Sequence, residues 1–136
     1  MELKLSAIML LAILPGNARA ATLTDAEATF LDQLATAAAV LEQRCTGYEV
    51  NGTGGVQHGA RLLGSANAAM AMIDAFDAAI KAYAGNDYDP SKFRPEVFEA
   101  AVKTAKQVRA ELVKNPKAAC ADYGETSVER SLLRRY

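Results

Sequence analysis

Apolar residues recur at helical spacing from the first third of the chain onwards. The first stripe consists of Phe30, Leu34, Ala38, Leu41 and Cys45. Such a spacing puts all of its members on one face of a helix. Thr24 followed three residues later by Glu27 is a capping box, which marks the start of a helix. We therefore predict a first helix over roughly residues 24 to 45, with Cys45 on its buried face.

Two longer stripes follow. The second consists of Leu62, Leu63, Ala66, Met70, Ile73, Phe76, Ile80 and Tyr83, and the third of Val97, Phe98, Ala101, Val102, Ala105, Val108 and Leu112. The second predicts a helix that ends at Gly85 and is broken near its start at Gly64-Ser65. Pro95 suits the first turn of the third helix, and Asn115-Pro116 ends it.

The remainder of the chain predicts short C-terminal helices. Pro116 opens one that reaches about Tyr123 and is closed by Gly124. Thr126 with Glu129 forms a second capping box, which predicts a last brief helix to the C-terminus. Abundant alanine and scarce β-branched runs also favour helix over strand. The predicted fold class is all-α, a compact bundle of three main helices plus one or two short C-terminal helices.

The first twenty residues have a different pattern. Lys4 precedes an apolar run from Leu5 to Leu14, and Pro15-Gly16 and Ala18-Arg19-Ala20 come after it. A positive start, a short apolar core and a small-residue end are typical of a secretory signal peptide, with cleavage before Ala21. The run is about half of the roughly 20 residues that a membrane-spanning helix needs.

Two segments are therefore predicted, a signal peptide at 1–20 and a single helical domain at 21–136 that works in the periplasm or outside a bacterial cell. The mature chain carries 13 basic and 15 acidic residues, a net charge of −2 with His58 neutral. That balance supplies no bulk attraction to nucleic acid or to an anionic membrane. We expect no nucleic-acid partner and no transmembrane segment in the mature chain.

The two cysteines, Cys45 and Cys120, predict one disulfide. An exported chain meets an oxidising compartment, where an even pair of cysteines usually closes. The bridge would close a loop of about 75 residues, for which chain entropy gives a stabilisation of order 4 kcal/mol. Two free buried thiols, or a bridge between two chains, are the alternatives. Two lone cysteines and the distant His58 lack the spacing of a zinc site, so we predict no metal and no cofactor.

The segment from Thr46 to Gly59 is rich in glycine. Each glycine raises the entropic cost of a regular element, so we predict a long surface loop. Loops often carry binding residues, and we predict that this one contacts a partner. The candidate contact residues are Asn51, Gly52, Gly54, Gly55 and His58. A phosphate-binding loop is excluded because the Gly-Lys-Ser/Thr ending is missing.

No group of side chains in the sequence predicts a catalytic centre. The acids Asp87 and Asp89 resemble the start of a calcium loop, but Lys92 stands where an EF-hand requires glycine, which favours a simple turn. His58 has no acid or thiol nearby in sequence, so a hydrolase site around it is a minor hypothesis. The third helix carries Lys103, Lys106 and Lys114 on one side, with Lys117 just beyond, which indicates either a solvated face or the site of an acidic partner.

Two function classes follow. The leading hypothesis is a non-enzymatic exported protein that acts by contact with another protein, as an inhibitor, a chaperone-like protein or an accessory subunit. The alternative is a carrier that binds a small apolar ligand between the second and third helices. Aromatic residues at helical spacing either fill the core or line such a pocket; these are Phe76, Tyr83, Tyr88, Phe93 and Phe98.

Overall fold

Five helices and one pair of short strands make up the regular structure of the described chain. The computed structural model describes residues 22–43 and 45–136, so the signal peptide predicted at 1–20 and its cleavage site lie outside the described residues. The elements in chain order are α1 (Asp25–Glu42), β1 (Tyr48–Val50), α2 (Gly52–Leu63), α3 (Ala66–Tyr83), α4 (Pro95–Lys114), α5 (Pro116–Glu129) and β2 (Leu133–Arg135). No helix in this described part is both long enough and apolar enough to cross a membrane.

The predicted starts of the helices at the three stripes are confirmed, but the first helix ends at Glu42 and not near Cys45, which lies just after it. The Thr24 hydroxyl accepts a hydrogen bond from the Glu27 N–H at 3.1 Å, and the Glu27 carboxylate accepts one from the Thr24 N–H at 2.9 Å, which completes the capping box. Gly64 ends α2 in a left-handed conformation with φ +95°, where a side chain would be strained. Ser65 then begins α3 by accepting from the Ala68 N–H.

α1 is the central element, because it contacts each of the other four helices. The largest fully buried side chains come from several elements at once; they include Phe30, Leu31, Val40, Met72, Val97, Leu112 and Leu133. Each such side chain contributes roughly 1.5–3 kcal/mol when it leaves water. The predicted all-α bundle is therefore confirmed, with its core around α1.

The predicted disulfide is also confirmed. Cys45 lies just after α1 and Cys120 lies within α5, and their sulfurs are joined with the Cα atoms 5.5 Å apart. The bridge ties α5 to the end of α1, as the sequence predicts. A disulfide of this kind is consistent with an oxidising compartment.

The prediction of a long loop from Thr46 to Gly59 is wrong. The chain instead forms β1 and then enters α2, which begins at Gly52 and runs on to Leu63. Asn51 starts this helix, because its side-chain oxygen accepts from the Gly54 N–H at 3.0 Å.

Close packing explains why glycine is used in α2. A Cβ added to Gly59 would lie 2.6 Å from Cζ of Phe30, and one added to Gly54 would lie 2.6 Å from the carbonyl oxygen of Ser131. Both distances are far below van der Waals contact. The glycines therefore let α2 approach α1 and the segment before β2, rather than making the segment flexible.

The predicted last helix and the predicted helix end at Gly124 are wrong as well. α5 continues through Gly124, where a Cβ would overlap the ring of Tyr48. Thr126 caps no helix; its hydroxyl donates to the Asp122 carbonyl oxygen one turn earlier. After α5, Ser131 adopts φ +59° and turns the chain back into β2.

β2 pairs with β1 in an antiparallel register. Tyr48 lies opposite Arg135, Glu49 opposite Arg134, and Val50 opposite Leu133. Cross-strand pairs of opposite charge add a few tenths of a kcal/mol to such a ladder. The Arg134 guanidinium lies 2.7 Å from the Glu49 carboxylate and supplies one of these pairs.

Candidate functional site

The predicted partner-contact residues lie on the first two turns of α2 and just before it. Gly52 is exposed, but Gly54 and Gly55 are buried, and Asn51 is half-buried with its side chain engaged in the helix cap. A partner on this side of the molecule therefore meets the start of a helix instead of an open loop. The proposed contact role of these residues stays a prediction.

His58 connects α2 to α1. Its Nε2 donates a hydrogen bond to Oε1 of Gln33 at 2.6 Å, and its ring lies against Phe30 with the ring centres 6.2 Å apart. Burial lowers the pKa of His58 below its ordinary value, and the positive charges of Arg61 and Arg130 lower it further. The imidazole is therefore favoured in its neutral form, and its contacts are those of a residue that joins two helices.

The acids that resemble the start of a calcium loop form a turn. A carboxylate oxygen of Asp89 accepts from the N–H of Ser91 at 3.0 Å and from its hydroxyl at 2.7 Å. These two bonds lower the pKa of Asp89. Within residues 22–43 and 45–136, no group of three or more His, Cys, Asp or Glu side chains could bind a metal ion.

A cleft with many polar side chains lies between α1, α4 and α5. It has a volume of about 610 Å³ and is open to solvent; its walls include Asp32, Thr36, Glu111, Lys114, Asp122, Tyr123 and Arg130. Within it the Tyr123 hydroxyl donates a hydrogen bond to Glu111, and next to it the Thr104 hydroxyl donates one to Asp32 at 2.6 Å. Charges of both signs line the cleft, so it has no single electrostatic preference.

A lysine face, formed by Lys103, Lys106, Lys114 and Lys117, lies beside this cleft. The first three are on the outer side of α4 and the fourth is at the start of α5, and all four are exposed. Val113, next to Lys114 in sequence, has 68% of its surface exposed. The structure thus leaves exposed all four basic residues that the sequence identifies.

A smaller and more enclosed cavity lies between α1, α3 and α4. Its volume is about 270 Å³, and its lining is Ala35, Ala38, Ala39, Glu42, Ile80, Tyr83, Ala84, Ala105 and Arg109. The Arg109 guanidinium binds Glu42 at 2.8 Å and lies 6.0 Å from the centre of the Tyr83 ring. Burial by itself would lower the pKa of Arg109, but the neighbouring Glu42 and Tyr83 raise it above its ordinary value.

No protein-family model, no curated protein and no solved structure matches this chain. The surfaces and cavities of the molecule itself are therefore the basis for assigning a function. Of these, the lysine face can be read from the sequence, because its members recur at helical spacing.

The cavity adjoins α3 and α4, which are the second and third helices of the sequence prediction, but its lining differs from the predicted one. Of the five aromatic residues proposed to line an apolar pocket, Tyr83 alone borders it. Tyr88, Phe93 and Phe98 form a row with ring centres 5.4 and 5.6 Å apart, and Phe98 lies 6.4 Å from Tyr83. The walls of the cavity are mainly alanines. The feature of the sequence that indicates this cavity is an alanine-rich run such as Ala35 to Ala39, because short side chains on facing helices leave unfilled space.

Proposed function

We propose that the chain is an exported, non-enzymatic domain that acts by binding an acidic surface of another protein through the lysine face. The observation that carries this proposal is that the four lysines make no ion pair with any described residue. They are exposed, they carry one sign of charge, and the exposed Val113 is next to Lys114 in sequence. Such a surface is complementary to an acidic one.

The other basic side chains are largely paired. Among the twelve Lys and Arg residues of the described ranges, six form ion pairs with acids; these are Lys81, Lys92, Arg94, Arg109, Arg134 and Arg135. Four of the other six belong to the lysine face. Even Glu99, one turn before Lys103, forms no ion pair with it. Positive charge without a counterpart is therefore concentrated on one side of a molecule whose formal net charge is −1.

The energetics favour a role in recognition over a role in stability. Exposed charges contribute at most about 1 kcal/mol each to folding, and unpaired like charges on one helix oppose it slightly. Opposite a negative surface, the same charges speed encounter and set orientation. Val113 would add apolar contact beside Lys114.

Export and the class of role are parts of the same proposal. The signal-peptide pattern of residues 1–20 and the Cys45–Cys120 disulfide support a working place in the periplasm or outside the cell. The absence of a recognisable catalytic arrangement in the sequence favours an inhibitor, a chaperone-like protein or an accessory subunit.

Cross-linking in intact cells, followed by mass spectrometry, tests the proposal directly. We expect amine-reactive cross-links from Lys106 or Lys114 to one protein partner. The purified partner is then titrated with the wild-type chain and with the double variant Lys106→Gln/Lys114→Gln. Loss of two interfacial charges should weaken binding by roughly 3- to 30-fold and flatten its dependence on salt.

The double variant Lys81→Gln/Lys92→Gln is the matched control. It changes the net charge by the same amount, but at exposed lysines that already pair with Asp77 and Asp74. We expect it to bind like the wild type. Equal weakening by both variants would show that only net charge matters, and a chain recovered without any partner at physiological abundance would contradict the proposal.

A further inference from the structure

We propose that the cavity between α1, α3 and α4 binds a small, uncharged, largely apolar molecule that carries one hydrogen-bond-accepting oxygen. The proposal does not depend on the lysine face, because the cavity is lined by residues of which none belongs to that face. Helical bundles commonly bind ligands between their helices.

The size of the cavity sets the size of the ligand. Alanines of α1 and α4, Ala35, Ala38 and Ala105 among them, and Ala84 just after α3 line a volume of about 270 Å³. An apolar cavity of roughly 150 Å³ already accommodates benzene. One aromatic ring with a short substituent therefore fits, and its apolar surface would replace dispersion contacts that the short side chains leave unmade.

Arg109 supplies the polar contact. Its Nε is buried and has no hydrogen-bond partner in the structure, whereas its terminal nitrogen binds both carboxylate oxygens of Glu42 at 2.8 and 2.9 Å. Buried N–H groups are seldom left without an acceptor, because they lose their hydration and gain nothing in return. Nε is covered in the structure, so a ligand oxygen at the Arg109 side of the cavity would supply that acceptor once the guanidinium turns toward it.

The charges at the cavity decide against an anionic ligand. Arg109 and Glu42 neutralise each other, and they are the two ionised groups of the lining. A carboxylate ligand would place a second negative charge beside Glu42, and a cation would compete with Arg109. A ketone or amide oxygen accepts from Nε without disturbing the ion pair.

Three probes of similar size test the proposal by NMR titration of the mature, disulfide-bonded protein. Acetophenone carries a ring and an acceptor oxygen, ethylbenzene lacks the oxygen, and benzoate adds a negative charge. We expect acetophenone to shift the amide signals of α1, α3 and α4 around the cavity. It should bind about 3- to 10-fold more tightly than ethylbenzene, which is the range expected for one net hydrogen bond. Benzoate should bind more weakly than acetophenone.

Variants of the lining locate the site. Ala38→Leu fills the cavity from its half-buried rim and should abolish binding of acetophenone, whereas Ala28→Leu, at an exposed position of the same helix, should leave it unchanged. Arg109→Lys retains a cation for Glu42 but lacks Nε. It should lower the affinity for acetophenone to that for ethylbenzene and leave ethylbenzene unaffected.

The same measurements can overturn the proposal. No amide shift with any probe at millimolar concentration would show that the cavity takes no such ligand. Binding that persists in a folded Ala38→Leu variant would place the probe elsewhere. Equal affinity for acetophenone and ethylbenzene would remove the role assigned to Arg109.

Discussion

Glycine stands at certain positions of α2 because a side chain there would overlap a neighbouring element. At Gly59, a Cβ would press on the ring of Phe30, which is fully buried and cannot move away. We expect Gly59→Ala to lower the free energy of unfolding by about 1–3 kcal/mol, because overpacking outweighs the roughly 1 kcal/mol gain in helix propensity. Urea unfolding followed by circular dichroism measures this change.

Gly52→Ala is the control for that variant. A Cβ at Gly52 meets nothing within 4 Å, and the residue is the first of the same helix. The substitution should leave stability unchanged or raise it by up to about 1 kcal/mol. If both variants lose stability equally, close packing at Gly59 is not the reason for its glycine.

His58 makes stability depend on pH. Its pKa is lowered in the folded protein by burial and by Arg61 and Arg130. The unfolded chain therefore binds a proton more readily, so the free energy of unfolding decreases as the pH falls through the ordinary value of about 6.5 and levels off below the folded pKa. In the folded protein, the hydrogen bond to Gln33 persists in both the neutral and the protonated form of the imidazole, because Nε2 is the donor in each form.

The variant His58→Gln isolates this effect. Denaturant midpoints at about pH 7.5 and about pH 5 should fall more for the wild type than for the variant, since carboxylates titrate alike in both. An equal fall in the two proteins would show that His58 titrates in the fold as it does in the unfolded chain.

At the scale of elements, the helices with long apolar stripes are predictable and α2 is not. α1, α3 and α4 have caps and stripes that can be read from the sequence alone, and the structure ends them within a few residues of the prediction. α2 begins with Gly52, Gly54 and Gly55, whose low intrinsic helix propensity favours a loop. Its helical form depends on contacts with α1 and β2, which are distant in sequence.

The strand β2 could not be predicted from the sequence either, because it too depends on a contact with a distant part of the chain. Thr126 and Glu129 imitate a helix start, but they lie inside α5, and the strand exists because β1 offers it a partner more than eighty residues earlier. The enclosed cavity shares this origin, since a gap left by alanines depends on how three helices cross. The local sequence pattern indicates neither the strand pairing nor the way in which the helices cross.

β2 contributes to the core through Leu133. This side chain is 2% exposed, whereas Val50, opposite it on β1, is 60% exposed. We expect Leu133→Ala to lower the free energy of unfolding by about 2–5 kcal/mol and Val50→Ala to lower it by less than about 1 kcal/mol. Denaturant unfolding of the two variants tests this, and similar losses would contradict the burial of β2.

At the scale of the whole molecule, the disulfide is the longest-range covalent constraint. It closes a loop with a sequence separation of 75 residues. Removing it in the double variant Cys45→Ser/Cys120→Ser should lower the free energy of unfolding by about 2–4 kcal/mol. Unfolding of the wild type under a reducing agent should give the same value. A variant as stable as the oxidised wild type would show that the bridge contributes nothing to stability.

The pairing of β2 with β1 has a consequence for the order of assembly. Synthesis proceeds from the N-terminus. β1 and the face of α2 that packs against Leu132 are therefore made long before β2 and the residue that precedes it. Leu132 and Leu133, which complete the core, lie more than eighty residues after β1. Until they arrive, an unpaired strand edge and an apolar helix face stay open to water and to other chains. Folding can therefore finish only once Leu132 and Leu133 can pack against α2 and β2 can pair with β1.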